Sequence, residues 1–255
     1  MTPKLTAYEK FRYRYRAWKY RWQTESAEIG LLLDSISPGD VCIDIGGHKG
    51  AFTYWMRRCA RSEGTVLTFE PQPELAEYLR KVVAAFRYDN VHIFEMGLSS
   101  RTGRATLSRD SESPSPGATL ESADAATAHQ VDVEVETLDR LLSQHRIQHI
   151  DFIKCDAEGH EYEVFLGASS ILTTARPIIL FECEQRHCKG RLIQTTFELL
   201  ESFGYRGEYF RRQQLHPLST FQQQGDSPDQ RDYVYNFLFR PLENVQLAPQ
   251  HRKAA

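Results

Sequence analysis

The sequence predicts an α/β protein built on a doubly wound, largely parallel sheet. Three observations predict it. Short apolar runs of strand length alternate with segments whose apolar residues recur every three or four positions. A glycine-rich break, Gly46-Gly47-His48-Lys49-Gly50, separates the first strand-like run from the helix after it, as at the ligand-binding turn of open α/β sheets. The 255 residues suffice for one such domain with a small appendage, and at that length burial needs no disulfide or metal.

The first element is a helix. Tyr8, Phe11, Tyr15, Trp18 and Trp22 follow at intervals of 3, 4, 3 and 4, which puts five aromatics on one helical face. The plain expectation is a surface helix that docks this stripe on the main domain. The pattern also suits peripheral contact with a membrane surface through residues 1–22, or a basic rim for an anionic substrate. Seven cations against Glu9 give residues 1–22 a charge of +6, so the remainder, of a total of −3, carries −9. That body has no charge reason to bind nucleic acid.

A second helix is expected over Ser26–Ser35, and Pro38-Gly39-Asp40 is a turn. Strands are expected at Val41–Ile45, Thr65–Phe69, Val91–Phe94, Ile150–Lys154 and Pro177–Cys183, with helices over 51–61, 74–86, 137–146 and 192–203 between or after them. Two further strands are expected near Tyr205–Phe210 and Tyr233–Phe239. Residues 109–130, rich in Ser, Ala and Pro, form a long loop between short strands and are a candidate substrate lid. The tail after Pro241 reads as disordered.

Hydrophobic residues at 41% and charged residues at 25% are near globular averages, which excludes disordered, collagen-like and coiled-coil chains. No apolar run reaches membrane-spanning length, and with Met1-Thr2-Pro3-Lys4 followed by no apolar stretch, a classical secretion signal is not expected. Cys42, Cys155 and Cys183 lie in strand-like runs, where free cysteine is a small hydrophobe. A reducing, cytoplasmic setting is expected. Cys183, His187 and Cys188 lack the second ligand pair of a zinc site.

A dinucleotide fingerprint would place its first glycine on Ile45, and no P-loop occurs, so neither pyrophosphate site is present. What stands at the first strand's end is an acid, Asp44, beside a glycine turn. An acid there suits a cationic ligand. Glu70, ending the second strand, can accept hydrogen bonds from both hydroxyls of a ribose. A cationic ligand with a ribose and no phosphate is S-adenosylmethionine. An NAD-dependent oxidoreductase and a non-catalytic scaffold on the same fold are the rival readings.

The chain resembles the FkbM family of S-adenosylmethionine-dependent methyltransferases. The resemblance rests on Val41 to Gly50, Phe69-Glu70-Pro71, Asn90-Val91, Gly97-Leu98-Ser99 and Val135 to Asp139. Its most distinctive stretch runs from Asp151 to Glu161 around Asp156-Ala157-Glu158-Gly159, and Pro177 to Glu182 and Asn236 to Phe239 complete it. Gly47, His48 and Glu95 stand where the family often has Ala, Asn and Asn.

The resemblance implies a class I, Rossmann-like methyltransferase domain over 36–240. Its seven-stranded sheet would have an antiparallel last strand and a helical extension over 1–35. It implies methyl transfer to a hydroxyl oxygen of a sugar, glycan or secondary metabolite. Asp44, Gly46, Gly47, His48 and Gly50 would form the cofactor turn. Glu70 and Pro71 would hold the ribose side, and Met96 and Gly97 would lie near the adenine. Asp156 would face the methionine end or the substrate. An aliphatic hydroxyl needs a general base, for which His160, Asp156, Glu158 and Glu182 are candidates. Asp156 and Glu182 could also share a divalent cation, a role ranked below acid–base work.

Overall fold

The computed structural model describes residues 5–121, 129–188, 190–222 and 233–242. The expected tail after Pro241, apart from Leu242, and residues 122–128 of the long loop lie outside them. The chain opens with α1 (Ala7–Lys19), a π-helical turn (Tyr20–Thr24) and α2 (Ser26–Ser35). A strand–helix alternation follows: β1 (Val41–Ile45), α3 (Ala51–Ala60), β2 (Thr65–Phe69), α4 (Pro73–Phe86) and β3 (Val91–Phe94). A small insertion comprises β4 (Gly97–Leu98), β5 (Gly103–Arg109) and β6 (His129–Glu136). Then come α5 (Leu138–Gln144), β7 (Phe152–Cys155), α6 (Glu161–Leu166), α7 (Ser169–Thr174), β8 (Ile178–Glu182), α8 (Ile193–Ser202), β9 (Tyr205–Arg211), β10 (Gln214–Pro217) and β11 (Asn236–Pro241).

The main sheet has the order β10-β9-β11-β8-β7-β1-β2-β3. Strands β3, β2, β1, β7 and β8 are parallel, and β11 enters antiparallel between β8 and β9. This is the expected seven-stranded sheet with its antiparallel last strand, widened by one edge strand, β10. The order reverses at β1, between β2 and β7, so ligand-facing loops converge there.

Each face of the sheet is covered. One core packs Phe165, Phe181, Phe197, Phe237 and Phe239 between the sheet and α5 to α8. The other packs Ile29, Leu32, Trp55, Met56 and Val82 beneath α1 to α4. The period-2 alternation of parallel strands is lost because both faces are buried.

The first helix begins at a capping box: Thr6 Oγ1 accepts from Glu9 N, and Glu9 Oε2 accepts from Thr6 N at 2.7 Å. It docks by the face opposite the one expected. Tyr13 and Ala17 are buried, Trp55 Nε1 donates to Ala17 O at 2.9 Å, and Tyr13 packs on Tyr54 and Phe86. Tyr8, Phe11, Tyr15 and Trp22 face away and only Trp18 touches the domain, edge-on to Trp55 at 5.0 Å, which corrects the docking expectation. Both faces carry aromatics, so spacing alone could not say which one packs.

Candidate functional site

The turn after β1 forms because Gly46 and Gly50 adopt left-handed backbone at φ +74° and +77°. Gly46 is also forced by contact: a Cβ there would lie 2.0 Å from the Asp156 carbonyl oxygen. Gly46 N and Gly47 N both donate to Phe69 O, and Asp156 N donates to Ile45 O at 3.0 Å. The turn is thereby bolted to the ends of β2 and β7.

Asp44 is buried beneath this turn. Its Oδ2 accepts from Thr53 Oγ1 at 2.5 Å, while its Oδ1 is buried without a partner. Burial raises its pKa, with Lys154 acting against the rise. Glu70 is buried too. Its Oε2 accepts from His48 N at 2.7 Å and its Oε1 from Gln72 N at 2.9 Å, and burial pushes its pKa up to about 7. His48 sits at φ +46°, and burial, reinforced by Lys49 and Arg16, lowers its pKa to about 4. Its imidazole is therefore neutral at physiological pH, and its Nε2 is a second buried atom without a partner.

One cleft joins most of the residues expected from the sequence. Asp44, Gly46, Gly47, His48, Glu70 and Pro71 line one part of it, with Met96 and Gly97 beside them. Asp156, Glu158 and Glu182 line another. Two expected residues do not reach it. Gly50 is the N-cap of α3, packed against Leu79 and Tyr13. His160 holds Glu121 through Nδ1 at 2.7 Å and Ser99 through Nε2 at 3.0 Å, so both ring nitrogens are engaged elsewhere.

Among the carboxylates stands Lys154, a residue to which the sequence reading gave no role. Its Nζ is 3.1 Å from Asp156 Oδ2 and lies over the Phe52 ring at 5.0 Å. Burial works against its charge, but Asp156, Asp44 and Glu182 outweigh it and hold the ammonium protonated. A lysine inside the apolar strand Phe152–Cys155 was the available signal, because a buried lysine requires an anionic partner. Asp44 and Lys154 are register partners on β1 and β7. Glu182 ends β8, where burial and then Asp156 raise its pKa well above the usual carboxylate range. Glu158 is raised by burial and held by His187 Nδ1 at 2.9 Å.

The N-terminal helices complete the cleft. Arg16, Tyr20, Glu25 and Glu28 line it, and Asn236 Nδ2 donates to Glu25 Oε2 at 3.1 Å and Glu28 Oε1 at 2.9 Å. Burial and then Glu28 push Glu25 up to about 7. Over the adjoining side lies the described part of the long loop. Gln72 and Ser115 exchange two hydrogen bonds of 2.9 and 3.0 Å, and Thr119 Oγ1 donates to Glu158 O at 2.6 Å. Pro116, Ala118 and Leu120 of this loop line the cleft.

The unpartnered Asp44 Oδ1 and the side-chain-free turn fit a ligand that brings a cationic donor against the backbone. Among the described residues, the group of three candidate metal ligands lies apart from those lining the cleft: Glu161, Cys183 and Cys188, with the two Sγ atoms 3.6 Å apart. No helix among the described residues is long and apolar enough to cross a membrane.

The model of the methyltransferase FkbM domain matches residues 44–206. A curated relative, hexuronic acid methyltransferase AglP of Haloferax volcanii, is 26% identical over 171 residues, covering 64% of each chain. The chain thus spans somewhat under two thirds of that relative's length. The solved structure of methyltransferase FkbM from Methylobacillus flagellatus KT superposes with a TM-score of 0.52 at 14% identity, over 92% of this chain and 56% of that one. A SAM-dependent O-methyltransferase from Thermotoga maritima gives 0.46 at 16% identity, over 88% and 68%. The first of these structures shows the fold to be that of the class I methyltransferases.

Proposed function

The chain belongs to the methyltransferase FkbM domain family, and from that premise we propose that it transfers the methyl group of S-adenosylmethionine to a hydroxyl oxygen of a sugar or a comparable small acceptor. The cofactor supplies an electrophilic methyl on a positively charged sulfur. The observation that carries the reading is the unpartnered Oδ1 of Asp44. A buried acceptor without a donor costs about 1–3 kcal/mol, and a cationic donor brought by the cofactor offsets that cost.

Gly46 and Gly47 leave bare backbone for the methionine end. Each Glu70 oxygen keeps a lone pair beyond the N–H it already accepts, and these take the ribose hydroxyls. Met96, Gly97 and Pro71 flank the nucleoside. At the acceptor end, Glu182 takes the hydroxyl proton, while Lys154 fixes Asp156 beside it to orient the acceptor. Residues 1–35 act as a helical extension that closes the cleft of a methyltransferase unit over 36–240.

The sugar class is supported by the activity named for the Haloferax relative. The carboxylates of the cleft suit neutral hydroxyls. Arg16 and Lys49, which also line it, are the groups to meet an acceptor's own carboxylate.

Titration calorimetry with S-adenosylmethionine, and NAD as control, tests the cofactor assignment. Wild type should bind the first with micromolar affinity and not the second. Glu70→Ala should weaken binding by about 10–150-fold, the loss of hydrogen bonds to a charged group. A folded wild type that binds neither would refute the reading.

A further inference from the structure

We propose that α1 is a peripheral docking element for an anionic lipid bilayer, with its aromatic stripe entering the headgroup layer. The inference is independent of the chemistry assigned to the cleft. Tyr8, Phe11, Tyr15, Trp18 and Trp22 are 66%, 64%, 58%, 40% and 65% exposed. Trp18 rests edge-on against Trp55 at 5.0 Å with its outer part open, and the other four rings project further. They cohere among themselves, Phe11 stacking on Tyr15 at 6.0 Å and Trp18 on Trp22 at 6.2 Å. Five exposed aromatics in one row are a patch that a merely solvated helix has no reason to present.

The cations are set on both sides of this row. At about 100° per residue, Arg12 and Lys19 fall on one flank of the stripe and Arg14 on the other. Tyr13 and Ala17, which dock the helix on the domain, occupy the opposite face. An interfacial helix needs this cross-section: a protein-facing back, a Trp- and Tyr-rich front, and cationic shoulders at headgroup level. Glu9 is the single acid of the segment and is engaged at the cap with Thr6. The rest of the chain is net acidic, so an anionic surface attracts this helix and repels the body, which fixes one orientation.

The occupant must therefore be apolar enough for five rings and anionic enough for the flanks. A bilayer containing acidic phospholipid meets both demands along the whole helix, about 20 Å long. Arg16 and Tyr20 of the same segment line the cleft, so the docking segment also forms part of the cleft wall.

Flotation of the full chain with vesicles tests this, using phosphatidylcholine alone and phosphatidylcholine with about one third phosphatidylglycerol. Wild type should float with the acidic vesicles and not the neutral ones, release with added salt, and show blue-shifted tryptophan emission when bound. Arg12→Gln with Lys19→Gln should weaken partitioning about 25-fold, since each surface cation is worth about fivefold. Tyr8→Ser, Phe11→Ser and Trp22→Ser together should abolish flotation. Both variants alter exposed side chains, and an unchanged thermal midpoint verifies their folding. Absence of wild-type flotation, or equal flotation of wild type and both variants, overturns the proposal. A dimer by light scattering that the aromatic variant makes monomeric, without vesicle binding, assigns the stripe to self-association and equally overturns it. So does RNA binding that depends on the stripe in a chain that ignores vesicles.

Discussion

As the proposed base, Glu182 would set both a rate and a pH profile. Burial and the neighbouring charge of Asp156 raise its pKa well above the usual value. A base must be ionised to act, so kcat should rise with pH through a group titrating above the ordinary carboxylate range. Glu182→Gln should lower kcat by about 10²–10⁴-fold and flatten that profile, with cofactor affinity unchanged. Steady-state kinetics across the pH range decide this, and a variant that keeps its rate sends the proton elsewhere. At this scale the sequence was legible where a residue type and a strand end coincide, as at Asp44, Glu70, Asp156 and Glu182. It was not legible at Lys154, whose meaning depends on the register of β1 against β7. Nor was it at His160, whose motif position said nothing of the partners Glu121 and Ser99.

Among the elements, the loop between β5 and β6 is the one whose behaviour should change most when its ties are cut. Arg109, buried at its start, makes a forked contact with Glu74 at 2.9 and 3.1 Å, and the Gln72–Ser115 exchange pins its middle beside Glu70. Gln72→Ala removes two hydrogen bonds, together worth about 1–3 kcal/mol. It should weaken cofactor binding by about 5–100-fold and speed proteolytic cleavage within 110–121, both measurable on one preparation. Proteolysis at the wild-type rate would mean that these bonds do not hold the loop. Strands β1, β2, β3, β7 and β8 and helices α3, α4, α5 and α8 fall within two residues of where hydrophobic spacing put them, while the short α6 and α7 were not expected. That agreement has a cause: a strand buried on both faces is an uninterrupted apolar run. The weaker elements escaped notice. Strands β4 and β10 are short and lie at edges, and the π-helical turn after α1 shows no break in the aromatic spacing.

Across the whole molecule, buried carboxylates with raised pKa set how stability responds to pH. Burial pushes Glu25 and Glu70 up to about 7 and Glu161 to about 8. Each folded value lies above the unfolded one, so protonation favours the folded state. Their stabilisation is full below about pH 4.5 and is lost as pH rises through about 7 for the first two and about 8 for the third. The calorimetric midpoint should therefore be lower at about pH 8.5 than at about pH 6. Glu161→Gln keeps an oxygen for the N–H groups of Ala157 and Gly159 and should reduce the loss in unfolding free energy between these pH values by on the order of 1–3 kcal/mol. A midpoint that does not fall over this range would contradict the assignment. One further consequence follows from the bridge that Asn236 makes to Glu25 and Glu28, joining positions 211 and 208 residues apart. Strand β11 must slot between two strands already synthesised before that bridge can close. A chain cut before β11 would lack the strand that ties the N-terminal helices to the sheet beside the cleft.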